Sequence, residues 1–341
     1  MLATIADIAR EAGVSTATVD RVLNNREGVR HGTRSRVIAV ATQLGYADVA
    51  TKTASLLPGQ TIEMDFILPG GSKTFMDMFA GHLLEQCELR HGDAAIRIHR
   101  FDGVDPGSLA RMIERVAPSS QGLGLVAIDH PIVRETLRAF SARGTPVLTL
   151  LSDISGVPTA GYVGIDNRAA GRLAAYLIGR FLPRETREIA LFTGSLSYRG
   201  HEEREMGFRH LIAEEFSHLE IVEYREVRED SIRAREETLQ LLKTRPAIAG
   251  IYNIGGGLRG IAEAISDSGM SGKMILLGHE LTNPIRRHLV DGTIFAVIDQ
   301  NPRVEAREAI DRLRRVATGQ DIRDAVSLRT QVIFRENIPD V

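Results

Sequence analysis

The residues most able to do chemistry fall into two groups far apart in the chain. Between positions 21 and 36, Arg21, Arg26, Arg30, Arg34 and Arg36 stand with His31 against a single acid, Glu27, a local cationic run of the kind that contacts phosphates. Toward the other end, Gly255-x-Gly257-x-x-Gly260 follows an apolar run and opens a helical one, with Glu280 about twenty residues later. That is the dinucleotide spacing, in which glycines let the backbone approach a pyrophosphate and an acid takes the ribose hydroxyl. It leaves open a regulator sensing NAD(H), or an oxidoreductase. Other catalytic chemistry finds no support. There is no G-x-S-x-G, His201-Glu202 is followed by Glu-Arg-Glu rather than a second histidine, and Gly272-Lys273 is followed by Met274, so no P-loop hydroxyl is present. Cys87 is the only cysteine, which excludes an internal disulfide framework and any zinc module needing two thiolates from one chain. No catalytic residue, metal or cofactor is expected.

The basic run sits within three short helices. Thr4 and Asp7 form a capping pair, Ile5, Ile8, Ala9 and Ala12 make an apolar stripe, and Gly13 stops it. Ser15 caps a second helix with Val19, Val22 and Leu23 inward, ended by Asn24-Asn25. Two helices joined by so short a glycine-containing turn form a helix-turn-helix. Thr33 opens a third, with Val37, Ala41 and Leu44 inward and Gly45 as its stop. In this motif the second helix enters the major groove, so Thr16, Ala17, Thr18 and Arg21 are placed to reach base edges. Arg21 is long enough for a bidentate contact to guanine, the threonines suit phosphate or thymine, and Arg34 and Arg36 suit the backbone.

The whole chain has 341 residues, 43% apolar and 25% charged, with a net charge of −2. Such a composition builds ordinary packed domains, and any nucleic-acid site must be local. No run of 18 apolar residues occurs, and Asp7, Arg10 and Glu11 interrupt the place where a secretory signal would be apolar. A cytoplasmic protein, neither exported nor membrane-spanning, is expected.

The segment T-I-A-D-I-A-R-E-A-G-V-S-T-A-T-V-D-R-V-L-N, continued by Thr33-Arg34 and Leu44-Gly45-Tyr46, resembles the DNA-binding headpiece of the lactose-repressor (LacI-type) family. The resemblance implies a transcriptional regulator, with Thr4, Ser15, Thr16, Ala17, Thr18, Asp20, Arg21, Asn24 and Arg34 as DNA-contacting candidates. Asp20 departs from the family, which has a small hydroxyl residue there. A carboxylate among phosphates costs affinity, yet it can accept from a cytosine amino group. The hinge departs too: Tyr46 is followed by A-D-V-A-T-K-T-A-S-L-L-P-G, in which Leu56 or Leu57 would be the minor-groove wedge of a short helix ended by Pro58-Gly59.

Beyond Gly59, apolar runs alternate with amphipathic helices. Strands are predicted over 62–68, 96–101, 124–128, 147–151, 189–192, 221–225, 250–254, 274–278 and 295–298, the pattern of parallel sheets covered on both faces. The fold class is therefore α/β: a three-helix headpiece, a hinge, then two doubly wound lobes meeting near Gly161-Tyr162-Val163-Gly164. The boundaries are 1–46 for the headpiece, 47–59 for the hinge and 60–341 for the core. Lobe 1 takes 60–160 plus 293–325, and lobe 2 takes 163–290 plus a C-terminal strand. This core resembles the family's own, which looks like periplasmic sugar-binding proteins; Tyr162 to Ala175 matches the crossover. The resemblance implies that Phe75 stacks on a sugar ring, that Ser152 and Asp153 follow a cleft strand, and that Arg204, Glu280 and Gln300 reach the ligand. Carboxylates, an arginine fork and an aromatic face suit a polyol. The family's asparagine-aspartate pair is replaced by Gly255-Gly256-Gly257. Asn253 could substitute, or the glycines could leave space and N–H donors for a larger or anionic ligand, for which Lys73, Arg199 and His201 would be suited.

Together these features predict a repressor whose affinity for double-stranded, inverted-repeat operator DNA is set by a small metabolite, a sugar, polyol or sugar acid, bound between the lobes. The end of the chain carries no leucine heptads for a tetramer helix, so a homodimer is expected.

Overall fold

A computed structural model describes residues 4–23, 29, 33, 36–37, 40–41, 44, 61–70, 74–90, 92–320 and 328–339. Asn24, Arg34, Leu56, Leu57 and Lys73, with the rest of the hinge, lie outside the described residues.

Helix α1 (Ile5–Ala12) begins with a reciprocal cap: the Asp7 N–H donates to Thr4 Oγ1, and the Thr4 N–H donates to Asp7 Oδ2 at 3.0 Å. It stops at Gly13, whose left-handed φ of 64° only glycine adopts without strain. Ser15 then accepts from the Thr18 N–H at 3.1 Å and starts α2 (Thr16–Leu23). Ile8, Ala9, Ala12, Val19 and Val22 close one small core with Val37 and Ala41, which are themselves helical. Leu44, expected inward, is exposed in the turn that follows.

The larger part holds two sheets. The first contains β1 (Ile62–Pro69), β2 (Ala94–Phe101), β3 (Gly122–Leu125), β4 (Val147–Leu150) and β5 (Gly161–Val163), all parallel, in the order β2-β1-β3-β4-β5. The second contains β6 (Arg187–Thr193), β7 (Leu219–Glu226), β8 (Gly250–Asn253), β9 (Ile275–His279), β10 (Ala296–Asp299) and β11 (Gln331–Ile333). Its order is β11-β10-β9-β8-β6-β7, with β11 alone antiparallel. The connecting helices are α3 (Thr74–Glu88), α4 (Pro106–Arg115), α5 (Pro131–Ser141), α6 (Asn167–Phe181), α7 (Arg199–Glu215), α8 (Ser231–Thr244), α9 (Leu258–Asp267), α10 (Asn283–Val290) and α11 (Pro302–Ala317).

All nine strands expected from the apolar runs are present. Because β10 pairs with β9, the return to the first lobe that the sequence placed at 293 comes only after Asp299, with α11, whose Leu313 packs against Gly122 of β3. The chain crosses between lobes at 164–166 and again at 300–301. After α11 it returns to Leu328, which bridges Ile165 in parallel.

In each sheet the strand order reverses once, between β1 and β3 and between β6 and β8. Side chains at the carboxyl ends of the strands beside such a reversal face an open crevice. Two glycines set the depth of this crevice in the second lobe. A Cβ at Gly171 of α6 would lie 1.9 Å from the Arg204 carbonyl oxygen, and one at Gly207 of α7 would lie 2.1 Å from the Arg168 carbonyl oxygen. The two helices therefore touch backbone to backbone, and that contact fixes where α7 presents Arg204. Gly171→Ala is expected to lower unfolding stability by ~2 kcal/mol, as overpacking of a tight helix contact does, measured by urea denaturation; an unchanged midpoint would show that the helices can part freely.

Candidate functional site

Between the lobes lies a cleft with about 950 Å³ of empty space, part of it open to solvent. Its lining comes almost entirely from residues just past the carboxyl ends of strands. The first lobe contributes Phe75 and Met76 after β1, Val126 after β3, and Leu151 and Ser152 after β4. The second contributes Tyr198, Gly200, His201 and Arg204 after β6 and Glu229 and Ser231 after β7. Gly256, Gly257, Leu258 and Arg259 follow β8, His279 ends β9 with Glu280, Thr282 and Ile285 after it, and Gln300 follows β10. Among the described residues the first wall is thus mainly apolar and the second mainly polar or charged.

Arg204 organises the second wall. It is buried, its Nε donates to Asn167 Oδ1 at 2.8 Å, and its Nη1 donates to the Ile254 carbonyl at 3.0 Å. Asn167 in turn donates to the Tyr162 hydroxyl at 3.1 Å, and that hydroxyl lies 3.1 Å from the Leu151 carbonyl of the first lobe and 3.3 Å from that of Ile165. Burial pushes the Tyr162 phenol well above its ordinary range, so it stays a proton donor. On the floor, the Tyr252 hydroxyl is 2.8 Å from His279 Nε2. Burial, with Arg204 and His201 nearby, drives the His279 imidazole well below its usual value, so it is neutral. Gln300 Nε2 reaches Glu280 Oε1 at 3.5 Å, while Gln300 Oε1 is buried without a hydrogen bond among the described residues.

One loop ties the walls together. The Tyr198 hydroxyl donates to the Gly103 carbonyl at 2.7 Å, the Asp129 N–H donates to the Ser197 carbonyl at 3.1 Å, and the Gly200 N–H points at Ser152 Oγ at 3.4 Å. Tyr198 also sets its ring edge-on to His201, 5.6 Å between centroids.

Of the effector residues expected from the sequence, Phe75, Ser152, Arg204, Glu280 and Gln300 meet in this cleft. Asp153 does not line it: its carboxylate accepts from Thr149 Oγ1 at 2.6 Å and serves the first sheet. Asn253 does not line it either, because its amide is fully buried and closes the next turn by donating to the Gly256 carbonyl at 2.7 Å. Both side chains are held inward by these hydrogen bonds. Glu229, three residues past the end of β7, and His279, the last residue of β9, line the cleft without having been expected from the sequence. In the headpiece, Thr16, Ala17 and Arg21 of α2 are exposed, Thr18 and Asp20 are half-buried, and Thr4 and Ser15 are exposed caps.

The glycines suspected of cradling a dinucleotide are otherwise engaged. A Cβ at Gly255 would meet His201 Nε2 at 2.3 Å, one at Gly257 would meet the Ala234 Cβ at 2.7 Å, and one at Gly260 would meet the Ser231 carbonyl at 1.8 Å, while Glu229 packs against the intervening Gly256. The first two make room for side chains and the third for helix packing, and a carboxylate at the turn repels a pyrophosphate. A dinucleotide site is not favoured.

Two parallel-sheet lobes with a polar cleft at their strand ends define a ligand-binding protein of the periplasmic-receptor type, here carrying a helix-turn-helix. The chain belongs to the periplasmic binding protein domain family, which it matches over residues 65–321, and residues 4–50 match the family of bacterial regulatory proteins, lacI family. It is 36% identical over 183 residues to catabolite control protein A of Streptococcus mutans serotype c, covering 52% of this chain and 51% of that protein. It is 28% identical over 218 residues to the sucrose operon repressor of the same organism, 63% of each. The chain thus spans about half to under two thirds of these relatives. In fold it is similar to an ABC transporter solute binding protein from Burkholderia graminis C4D1M in complex with D-arabinose, with a TM-score of 0.76 and 20% identity over 83% of this chain and 98% of that one. No helix among the described residues is long and apolar enough to cross a membrane.

Two measurements test this geometry. Removing the hydroxyl in Tyr198→Phe deletes its hydrogen bond to the Gly103 carbonyl, of net worth ~1 kcal/mol. The amides of Asp129 and Gly200, which point across the cleft, are then expected to exchange about fivefold faster with deuterium; unchanged exchange would mean that Tyr198 does not hold the walls. Glu305 is fully buried, and neither of its carboxyl oxygens has a hydrogen bond among the described residues. Burial, then Asp299 and Glu280, raise its pKa well above the ordinary carboxyl value, against Arg204. A raised carboxyl stays protonated when folded but ionises when unfolded, so stability falls as pH rises above the unfolded value. Glu305→Gln should therefore raise Tm more at about pH 8 than at about pH 5, and an equal change at both would contradict the assignment.

Proposed function

We propose that this chain is a transcriptional repressor of the LacI type that acts in the cytoplasm as a homodimer on inverted-repeat, double-stranded operator DNA. A sugar or sugar derivative held between the lobes controls it. The observation that carries this reading is the presence in one chain of an exposed recognition helix and an interlobe cleft. The helix offers Thr16, Ala17 and Arg21 to a groove, and the cleft offers Arg204, Glu280, Ser152 and Gln300 to hydroxyls beneath the Phe75 ring. The relatives are named as a catabolite control protein and an operon repressor, and the solved neighbour carries a sugar. Binding and release are sufficient for this role, so no catalytic residue or cofactor is assigned.

The coupling follows from the walls. A ligand bridging both lobes favours one lobe arrangement by its differential affinity, and operator affinity changes by the same factor, typically about 5- to 150-fold. Whether the effector induces or corepresses is the sign of that difference. Selection from a random-sequence duplex pool is expected to yield an inverted repeat for the natural chain and none for Arg21→Ala, whose ligand binding stays intact. Among sugars, polyols and sugar acids, one that raises Tm by a few degrees should also shift operator affinity. Recovery of the same repeat by Arg21→Ala would dismiss the recognition-helix assignment, and a ligand that moves Tm without moving operator affinity would dismiss the coupling.

A further inference from the structure

The loop between β7 and α8 holds a carboxylate that recognition of a neutral sugar does not require. Arg228 and Glu229 are consecutive non-glycine residues in the left-handed region, at φ 51° and 63°. Such backbone is unfavourable for residues with a Cβ and persists where the surroundings impose it. The surroundings here are firm: the Val227 N–H donates to the Thr193 carbonyl at 2.8 Å, and Asp230 caps α8 through the Ile232 and Arg233 N–H groups. The effect is to turn Glu229 into the cleft wall.

Its seat is made by glycines. A Cβ at Gly194 would stand 1.7 Å from Glu229 Oε1, and one at Gly256 would stand 2.7 Å from Oε2. Oε1 is buried and accepts no hydrogen bond among the described residues. The imidazole beside it, His201 Nδ1, is 3.9 Å away, beyond hydrogen-bond reach, and lies 2.8 Å from the Ser195 carbonyl instead. A carboxylate deprived of water on one oxygen and given no protein donor gains more from a charged N–H than from a neutral hydroxyl.

The geometry points to Glu229 as a specificity-determining residue that takes a protonated amine of the effector, which makes the effector an amino sugar rather than a neutral one. The inference rests on the cleft being the effector site. In that arrangement the amine meets Oε2 of Glu229 and offsets the charge that the buried Oε1 shares, ligand oxygens meet the remaining Nη2 of Arg204, whose Nε and Nη1 are committed, and the ring's C–H face lies on Phe75.

The test uses the full chain and matched pairs: glucose with glucosamine, galactose with galactosamine, mannose with mannosamine. Titration calorimetry at about pH 6 keeps the amines protonated. At least one amino sugar is expected to bind about tenfold more tightly than its hydroxyl partner. In Glu229→Gln, which keeps the shape and removes the charge, the two members of that pair should come within about threefold of each other. Neutral members binding as well as their amines, or an amine advantage that survives Glu229→Gln, would overturn the inference while leaving a sugar-responsive regulator standing. Failure of every amino sugar to bind overturns it as well. An amino sugar bound equally well by Arg204→Ala would place binding outside the cleft and overturn both readings.

Discussion

The chain of hydrogen bonds from the Leu151 carbonyl through Tyr162, Asn167 and Arg204 to the Ile254 carbonyl is the constraint on which the rest depends. It begins in the first lobe, passes the crossover, and ends where β8 enters the cleft. Arg312 of α11 joins it by donating to the Tyr162 carbonyl at 2.9 Å. Each group is buried or nearly so, and a buried polar group left without its partner costs more than the bond itself contributes. The network therefore holds as a unit, and the lobes meet in a defined way at their hinge. Gly164 belongs to the same design, because a Cβ there would fall 2.1 Å from the Tyr162 hydroxyl.

Strain is distributed around the same cleft. The non-glycine residues with left-handed backbone among those described are Leu151, Arg228, Glu229, Glu280 and Asn301. They follow β4, β7, β9 and β10, at the ends facing the other lobe. Unfavourable backbone conformations gather where side chains must be aimed rather than merely packed. Here they aim two carboxylates, of Glu229 and Glu280, into the polar wall. The first wall holds only Leu151 of this set and presents mainly apolar side chains. A ligand held between them meets hydrogen-bonding groups on one side and a C–H-compatible surface on the other. Such a division discriminates by chemistry on one wall and by shape on the other.

The headpiece follows a different economy. Its core is a handful of small and β-branched residues, Ile8, Ala9, Ala12, Val19, Val22, Val37 and Ala41, so local caps carry much of its definition. That is why it was so legible: a capping box, a glycine stop and a second cap within fifteen residues specify two helices and the angle between them. The nine strands were legible for a related reason, since a strand buried on both faces must be a nearly continuous apolar run. Edge strand β2 shows the converse. It carries Arg97 and His99, which pair with the buried Asp65 of β1 at 2.8 and 2.6 Å, and its apolar run is accordingly broken.

What the sequence determined by itself was whatever short-range chemistry controls: the helix-turn-helix, the alternation of strand and helix, and the crossover at Tyr162, whereas Phe75, Ser152, Arg204, Glu280 and Gln300 were expected in the cleft from the family resemblance. What only the tertiary structure decided depends on contacts between distant segments. Strand β10 belongs to the second sheet because of its pairing with β9, which its own composition does not record. Asp153, one residue past the cleft-lining Ser152, and Asn253, three before the cleft-lining Gly256, turn inward, a distinction set by their tertiary contacts rather than by residue type. Glu229 reaches the cleft only because Gly194, thirty-five residues earlier, has no side chain to stand in its way. Local sequence specifies which residues can do chemistry, and the fold specifies which of them share a cavity, because that is settled by approach distances between strands the chain visits far apart.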